Sequence, residues 1–269
     1  MAALTNNTIA ATYEGLLKTS DSGARGAEGS ADQCSDGAGN TIPLFVSATE
    51  IYAVGSGAGT SHTAFGKDCG VDLSTGTGNS LFGEGAGADL TTGEHNVAVG
   101  YHALFQGTTE SDDNVAIGYN AMSGAIVAEQ VNDCIAIGSG ALAGDLDSTN
   151  GIDEASGTVA IGASALAALI TGEQNIAIGY QALAANATGG NNTMIGYQAG
   201  VSANDAGFDA NVGVGNFVFD GVASSVDAAG NTAIGYNSMS GVILDAADYN
   251  TCVGLGSGLS ITSAAECVL

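Results

Sequence analysis

Basic residues are nearly absent from this sequence of 269 residues, which contains three Lys and Arg against 28 Asp and Glu and has a formal net charge of −25. The basic residues, Lys18, Arg25 and Lys67, all lie in the first quarter of the chain. Proteins bind nucleic acid through clustered Lys and Arg side chains that neutralise phosphates. We therefore expect no nucleic-acid partner.

Proline and long apolar runs are also scarce. A single proline beside 43 glycines without a strict Gly-X-Y period excludes a collagen helix, and an apolar fraction of 45% argues against disorder. The sequence contains no apolar run of about 18 residues, and its start lacks the basic and apolar regions of a secretory signal. We expect a folded protein with neither a signal peptide nor membrane insertion.

The histidines, acids and cysteines do not stand at the spacings of known catalytic or metal-binding motifs. His62, His95 and His102 stand in no metal-ligand motif, and we expect them on the surface or in loops. Acid pairs such as Asp112-Asp113 could hold Ca²⁺, but no EF-hand register follows, and we interpret them as solvated loop charge. We expect the cysteines to be isolated and reduced and to act as small apolar fillers. The five cysteines are Cys34, Cys69, Cys134, Cys252 and Cys267. The sequence predicts no catalytic, cofactor or metal site and no enzymatic activity.

A short phrase, Asn-x-Ala-(Ile/Val)-Gly, recurs eleven times between residue 62 and the end of the sequence. Consecutive glycines of the phrase are 17 to 24 residues apart, so a 17-residue unit accepts insertions without losing its phase. A repeat of this length is typical of stacked, solenoid-like structures. The eleven copies end at Gly66, Gly83, Gly100, Gly118, Gly138, Gly162, Gly179, Gly196, Gly215, Gly235 and Gly254.

Each copy predicts at least one short strand. Mostly Val, Ile or Phe stands one and three residues before the glycine, and the residue between them is usually Ala, an alternation that is typical of a strand with one buried face. The glycine permits a bend or the close approach of another backbone. A small and then a large apolar residue follow three and four positions later, which indicates a second buried strand. Acids and turn formers fill the remaining stretch, which we interpret as exposed loops.

Asparagine stands four residues before the glycine in eight of the eleven copies. Two interpretations remain open: stacked copies could align the amides in a hydrogen-bonded ladder, or each asparagine could form a local turn. The positions that we take as structural markers of the repeat are Asn96, Gly100, Asn114, Gly118, Asn175, Gly179, Asn231 and Gly235.

The repeat must also close its apolar core. Two short strands per unit cannot shield an apolar face alone, so closure needs either a third strand in the same chain or sister chains. Because the third side reads as a polar segment of variable length, we expect sister chains and a homotrimer. The sequence thus predicts an all-β, trimeric parallel β-solenoid over residues 61–269, preceded by an attachment or assembly segment at 1–60.

The phrases at Asn114–Met122, Asn175–Leu183 and Asn231–Met239 resemble the head repeats of trimeric autotransporter adhesins and the related repeats of bacteriophage tail fibres. The resemblance covers about residues 62–258 and implies a trimeric, left-handed parallel β-roll. Tyrosine after the glycine is more similar to the phage repeats. The segments Thr8–Asp21 and Asp36–Leu44 also resemble the start of some phage fibre proteins.

The resemblance implies a structural virion protein, a tail fibre or similar external appendage that can contribute to host attachment. Its expected partners are two further copies of the chain, other virion proteins through residues 1–60, and a host surface receptor. A bacterial surface adhesin of the trimeric type is the alternative, although no autotransporter-type secretion signal or membrane anchor is recognisable. A second alternative is a single-chain left-handed β-helix acyltransferase, because residues 117–122 read as one hexapeptide unit.

Overall fold

The structure, a computed structural model, describes residues 62–106, 111–127, 131–147, 155–203, 207–222, 228–241, 247–261 and 266–269, together with three strands nearer the N terminus. These three strands are β1 (Lys18–Thr19), β2 (Asp32–Ser35) and β3 (Thr41–Val46), which form an antiparallel sheet in chain order. The rest of the predicted attachment segment, and its role, lie outside the described residues.

Eleven strands of three residues each form one parallel sheet in strict chain order, in which every strand pairs with the equivalent strand of the next copy. The predicted all-β parallel β-solenoid is therefore confirmed. A second pair, β8 (Ile126–Val127) and β10 (Leu146–Asp147), is also parallel. The eleven strands are β4 (Thr63–Phe65), β5 (Ser80–Phe82), β6 (Val97–Val99), β7 (Val115–Ile117), β9 (Ile135–Ile137), β11 (Val159–Ile161), β12 (Ile176–Ile178), β13 (Thr193–Ile195), β14 (Val212–Val214), β15 (Thr232–Ile234) and β16 (Thr251–Val253).

Each copy of the repeat is called a rung here and runs from the residue four positions before its glycine to the residue before the next such position. Rung 6, for example, spans residues 158–174. The first residue of a rung is called its ladder residue. The ladder residues of rungs 1 to 11 are His62, Asn79, Asn96, Asn114, Cys134, Thr158, Asn175, Asn192, Asn211, Asn231 and Asn250.

The strands bury their middle residue and expose its two neighbours to a greater degree. In β7, Ala116 is fully buried, whereas Ile117 keeps 36% of its surface exposed. The same pattern holds in β6 and β12. Because successive side chains of a strand point to opposite faces, the small residue faces the interior and the β-branched residues face outward.

The prediction of a second strand in each copy is wrong, although the residues assigned to that strand are buried. Ala103 and Leu104, three and four positions after Gly100, are both fully buried, and they lie in a turn segment. Here His102 and Leu104 have φ values of 51°, which curls the chain instead of extending it. Two consecutive inward side chains are incompatible with a strand, because its side chains alternate between faces.

The expectation that sister chains must close the core is also wrong. The segment that leads from this turn to the next rung, called the return, contributes its own buried side chains. Leu90, Leu169 and Phe208 are each fully buried within a single chain. The apolar interior is therefore closed by strand, turn and return of the same rung, and any role of sister chains must be sought on the outside.

The last described residues begin a further level of the coil. Val268 forms a parallel bridge with Thr251, and the Cys267 N–H donates to Asn250 Oδ1 at 3.0 Å. The stacking thus continues past the eleventh copy, where the sequence phrase is no longer recognisable. Among the described residues there is no helix, and hence none that is long and apolar enough to cross a membrane.

Candidate functional site: inner ladder, clamps and outer face

The repeated asparagines form one buried column inside the coil. Asn96, Asn114, Asn175 and Asn231 are all fully buried. The Oδ1 atom of each ladder asparagine accepts the backbone N–H of the equivalent residue one rung later. Asn79 Oδ1, for example, accepts the Asn96 N–H at 2.8 Å. Of the two interpretations of these asparagines, the inter-rung ladder is the one observed.

The amide nitrogens of the ladder are satisfied as completely as the oxygens. Asn231 Nδ2 donates to Asn211 Oδ1 at 3.1 Å and to the return carbonyl of Ala247 at 2.6 Å. Asn192 Nδ2 makes the same two bonds, to Asn175 Oδ1 at 3.2 Å and to Phe208 O at 2.6 Å. A buried polar group is costly unless its hydrogen bonds are made, so wherever the ladder residue is asparagine, this column ties its rung to the next and the strand to its own return.

Three ladder residues depart from asparagine. His62 was expected on the surface, but it is half-buried at the foot of the column, where its Nδ1 accepts the Asn79 N–H at 3.3 Å. Cys134 Sγ donates to the return carbonyl of Ala155 at 3.2 Å. Thr158 is fully buried, and its Oγ1 has no hydrogen-bond partner.

The buried cysteines match the expected role of apolar fillers. Burial raises the pKa of Cys69 to about 11 and that of Cys134 to about 12. Burial also raises the pKa of Cys252. A thiol of high pKa is a poor nucleophile at neutral pH, so these side chains have a packing role. The side chain of Cys34 lies outside the described residues.

The repeated glycine is required by both of the reasons that the sequence suggested. Gly100, Gly118 and Gly179 have φ values of 137°, and Gly235 has 135°, a region that L-residues rarely adopt. A Cβ atom on Gly118 would lie 2.6 Å from the carbonyl oxygen of Gly138 in the next rung. The column of glycines thus lets the backbones of successive rungs stack directly on one another.

Asp112, which was interpreted as solvated loop charge, forms a specific contact, and Asp209 forms an equivalent one. Asp112 Oδ1 accepts the Glu94 N–H at 2.7 Å, and Asp209 Oδ1 accepts the Gly190 N–H at 2.7 Å. These half-buried carboxylates clamp the return of one rung to the return of the next, so the interpretation is wrong for Asp112. Asp113, by contrast, is exposed as expected. Among the described residues no group of three His, Cys, Asp or Glu side chains could hold a metal ion.

The other two histidines have ordinary surface neighbours. His95 Nδ1 lies 3.5 Å from Asp113 Oδ1, and both side chains are more than half exposed. The ring of His102 stacks on Tyr101 at 3.9 Å and on Phe105 at 4.1 Å between ring centroids. Neither contact brings together a nucleophile, a base and an orienting acid.

The outward side chains form a candidate interaction surface, called the outer face here. It consists of the residues one and three positions before each rung glycine and the residue directly after it. Exposed members include Ile195 at 36%, Ile234 at 41% and Tyr119 at 58%. In rungs 3 to 11 no residue at these positions is charged, whereas rungs 1 and 2 carry Lys67 and Glu84, which form an ion pair at 3.3 Å.

Aromatic rings stack along part of the outer face. The ring centroids of Tyr101 and Tyr119 are 5.5 Å apart, and those of Tyr180 and Tyr197 are 5.3 Å apart. Phe217 continues the second column and contacts both Tyr197 and Tyr236 edge-on. The two columns are separated by rungs 5 and 6, where small residues take the tyrosine position.

Comparison of the chain with protein-family models, with curated proteins and with solved structures gives no match. The class of protein is accordingly defined by the fold alone: a parallel β-solenoid with an internal amide ladder. Any function must be inferred from the inner ladder, the outer face and the resemblance of the repeat phrase.

Proposed function

We propose that this protein is a non-catalytic structural component that associates through its outer face into a trimeric fibre shaft. The observation that carries the proposal is the absence of charge from the outer face over nine consecutive rungs of a chain whose net charge is −25. Scattered exposed apolar residues are common, but an uncharged face that carries an apolar residue directly before the glycine of every rung marks an interaction site.

Further copies of the same chain fit this face best. Its apolar positions recur at every level of the coil, so a parallel copy offers a matching residue at each rung. Cyclic symmetry then closes the assembly without leaving an apolar surface. The resemblance to trimeric fibre repeats sets the number of copies at three.

The geometry suits a spacer. Eleven parallel strands at about 4.8 Å per level produce a shaft of about 50 Å. The returns, which carry most of the acids, would lie on the outside of the trimer, where their charge favours solubility and opposes side-by-side association. With the resemblance, these properties favour a virion appendage such as a tail fibre, whose exposed returns are available to a host surface receptor.

Light scattering tests the assembly directly. We expect the purified protein to have three times the 26.1 kDa mass of the chain, whereas a mass near that of one chain would refute the trimer. Replacing Ile195, an outer-face residue, by glutamate should yield folded monomers, because it buries three unpaired charges in the shaft.

A matched variant controls for the added charge. Thr188 lies in an exposed part of the return of rung 7, and Thr188→Glu should leave the mass of the assembly unchanged. If Ile195→Glu also remained fully trimeric, the chains would associate through another surface.

We further propose that residues 1–60 attach the shaft to other virion proteins. Deletion of these residues should abolish incorporation into particles while the remaining chain keeps its oligomeric mass, because the coil closes its core without them. Quantitative immunoblotting of purified particles would measure this, and incorporation of the shortened chain at the full-length level would contradict an attachment role.

A further inference from the structure

Neighbouring rungs are joined by two kinds of interaction. Backbone hydrogen bonds cross every step of the sheet. Side-chain contacts also cross the steps: the ladder amides, the carboxylate clamps and the stacked rings. The step from rung 7 to rung 8, for example, has the ladder bond from Asn192 N–H to Asn175 Oδ1 at 3.0 Å, the Tyr180–Tyr197 stack and a bond from Gln198 Nε2 to Gln181 Oε1 at 2.7 Å.

Among the described residues, rung 6 has no amide ladder bond, carboxylate clamp or ring stack to the rung on either side. Cys134 offers the Thr158 N–H a thiol sulfur, which is a weaker acceptor than an amide oxygen, and Thr158 Oγ1 makes no hydrogen bond to the next rung. The aromatic column is interrupted by Ser139 and Ala163 at the same two levels. Apart from this sulfur contact, the side-chain hydrogen bond seen between rung 6 and a neighbour in the described part of the chain joins residues close in sequence, from Asn175 Nδ2 to Gly172 O at 3.0 Å.

The coincidence of these interruptions has a mechanical consequence. In a solenoid each repeat contacts its neighbours alone, so stability is approximately a sum of repeat terms and nearest-neighbour coupling terms. Within the described repeats, the two steps around rung 6 have the weakest coupling, because a thiol on one side and a buried hydroxyl without a partner on the other replace bonded amides. We propose that rung 6 is a built-in breakpoint, at which the coil opens before it opens elsewhere in the described repeats.

This inference concerns the coil of one chain and does not depend on the proposed trimer. Four leucines provide matched probes, since each lies four residues after a rung glycine, is fully buried, has φ between 49° and 51° and donates its N–H to the next rung. The bonds of Leu142 and Leu166 cross the steps on either side of rung 6. The bonds of Leu104 and Leu183 cross the steps from rung 3 to rung 4 and from rung 7 to rung 8.

Hydrogen exchange of the native protein, resolved at single amides, tests the breakpoint. After correction for intrinsic rates, we expect Leu142 and Leu166 to exchange at least about tenfold faster than Leu104 and Leu183. Rates that agree within about threefold across all four amides would overturn the proposal. This comparison uses the unmodified chain and does not depend on the folding of any variant.

Two variants then test the cause. Cys134→Asn with Thr158→Asn should restore ladder acceptors on both sides of rung 6 and slow exchange at Leu142 and Leu166 at least about tenfold. Asn175→Thr should speed exchange at Leu183, because it removes the acceptor of the Asn192 N–H. If a folded double variant exchanged at the unmodified rates, the ladder would not be what sets the breakpoint.

Discussion

Gly118→Ala is expected to lower the free energy of unfolding by at least about 3 kcal/mol. Two effects add at this position. The φ of 137° is unfavourable for any residue with a Cβ atom, and the new methyl group would lie 2.6 Å from Gly138 O. The Gly138 carbonyl cannot yield, since it is a backbone group held in the stack of rungs. Chemical denaturation followed by circular dichroism would measure the loss.

Gly254 provides a control that separates these two effects. Its φ of 131° is nearly the same, but a Cβ atom there would meet nothing within 4 Å. Gly254→Ala should therefore cost about 1 to 2 kcal/mol, the conformational part alone. Equal losses in the two variants would show that direct stacking of the glycines contributes nothing to stability.

Asn192→Leu should be almost as damaging, with an expected loss of about 3 to 5 kcal/mol. The variant keeps the approximate size of the side chain but removes the acceptor of the Asn211 N–H and the donor to Phe208 O. Both backbone groups would remain buried without those bonds. Thermal and denaturant unfolding of the purified variant would measure the effect.

The amide pair on the outside of the coil is the matched control. Gln198 also bonds an amide of the neighbouring rung, Gln181, but it is only half-buried. Water can replace the bond there, so Gln198→Leu should change stability by less than about 1 kcal/mol. A small loss for Asn192→Leu, comparable to this control, would mean that the ladder fixes the register of the rungs without stabilising them.

The repeat phrase determined most of the fold in advance. The alternation around the central residue, usually alanine, predicted the strand, and the constant phase of the copies predicted a parallel stack. The sequence also indicated the two roles of the glycine, which are the bend and the close approach of another backbone. These features were predictable because they depend on neighbours in sequence and on the identical neighbour one repeat away.

The turn and the return were not predictable in the same way. The Ala103-Leu104 pair reads as apolar sequence, and only the positive φ at Leu104 distinguishes a curled segment from a strand. The buried returns vary in residue type, as Leu90, Ala155 and Phe208 show, so no phrase repeats there. The signal that could have identified these buried residues is their spacing, because each lies seven residues after or before a rung glycine.

The ladder substitutions were hidden for a different reason. His62 and Cys134 belong to the column through their place in the coil, and their side chains do not resemble asparagine. Alignment of the copies on the glycine places both residues at the asparagine position, but their residue types gave no sign that they would take part in the column. The carboxylate clamps, such as the one formed by Asp112, could not be predicted from the sequence. To predict them, one must know which loop backbone lies one rung away from each acid.

The inner ladder is directional, and this bears on how the chain is made. Each ladder asparagine presents its oxygen to the N–H of the rung that follows it in sequence, as Asn211 does for Asn231. A completed rung is therefore a template whose acceptor is already in place when the next segment leaves the ribosome. Because synthesis delivers the N-terminal rungs first and each rung contacts only its neighbours, the shaft can assemble by vectorial addition, one coil at a time, without waiting for distant parts of the chain.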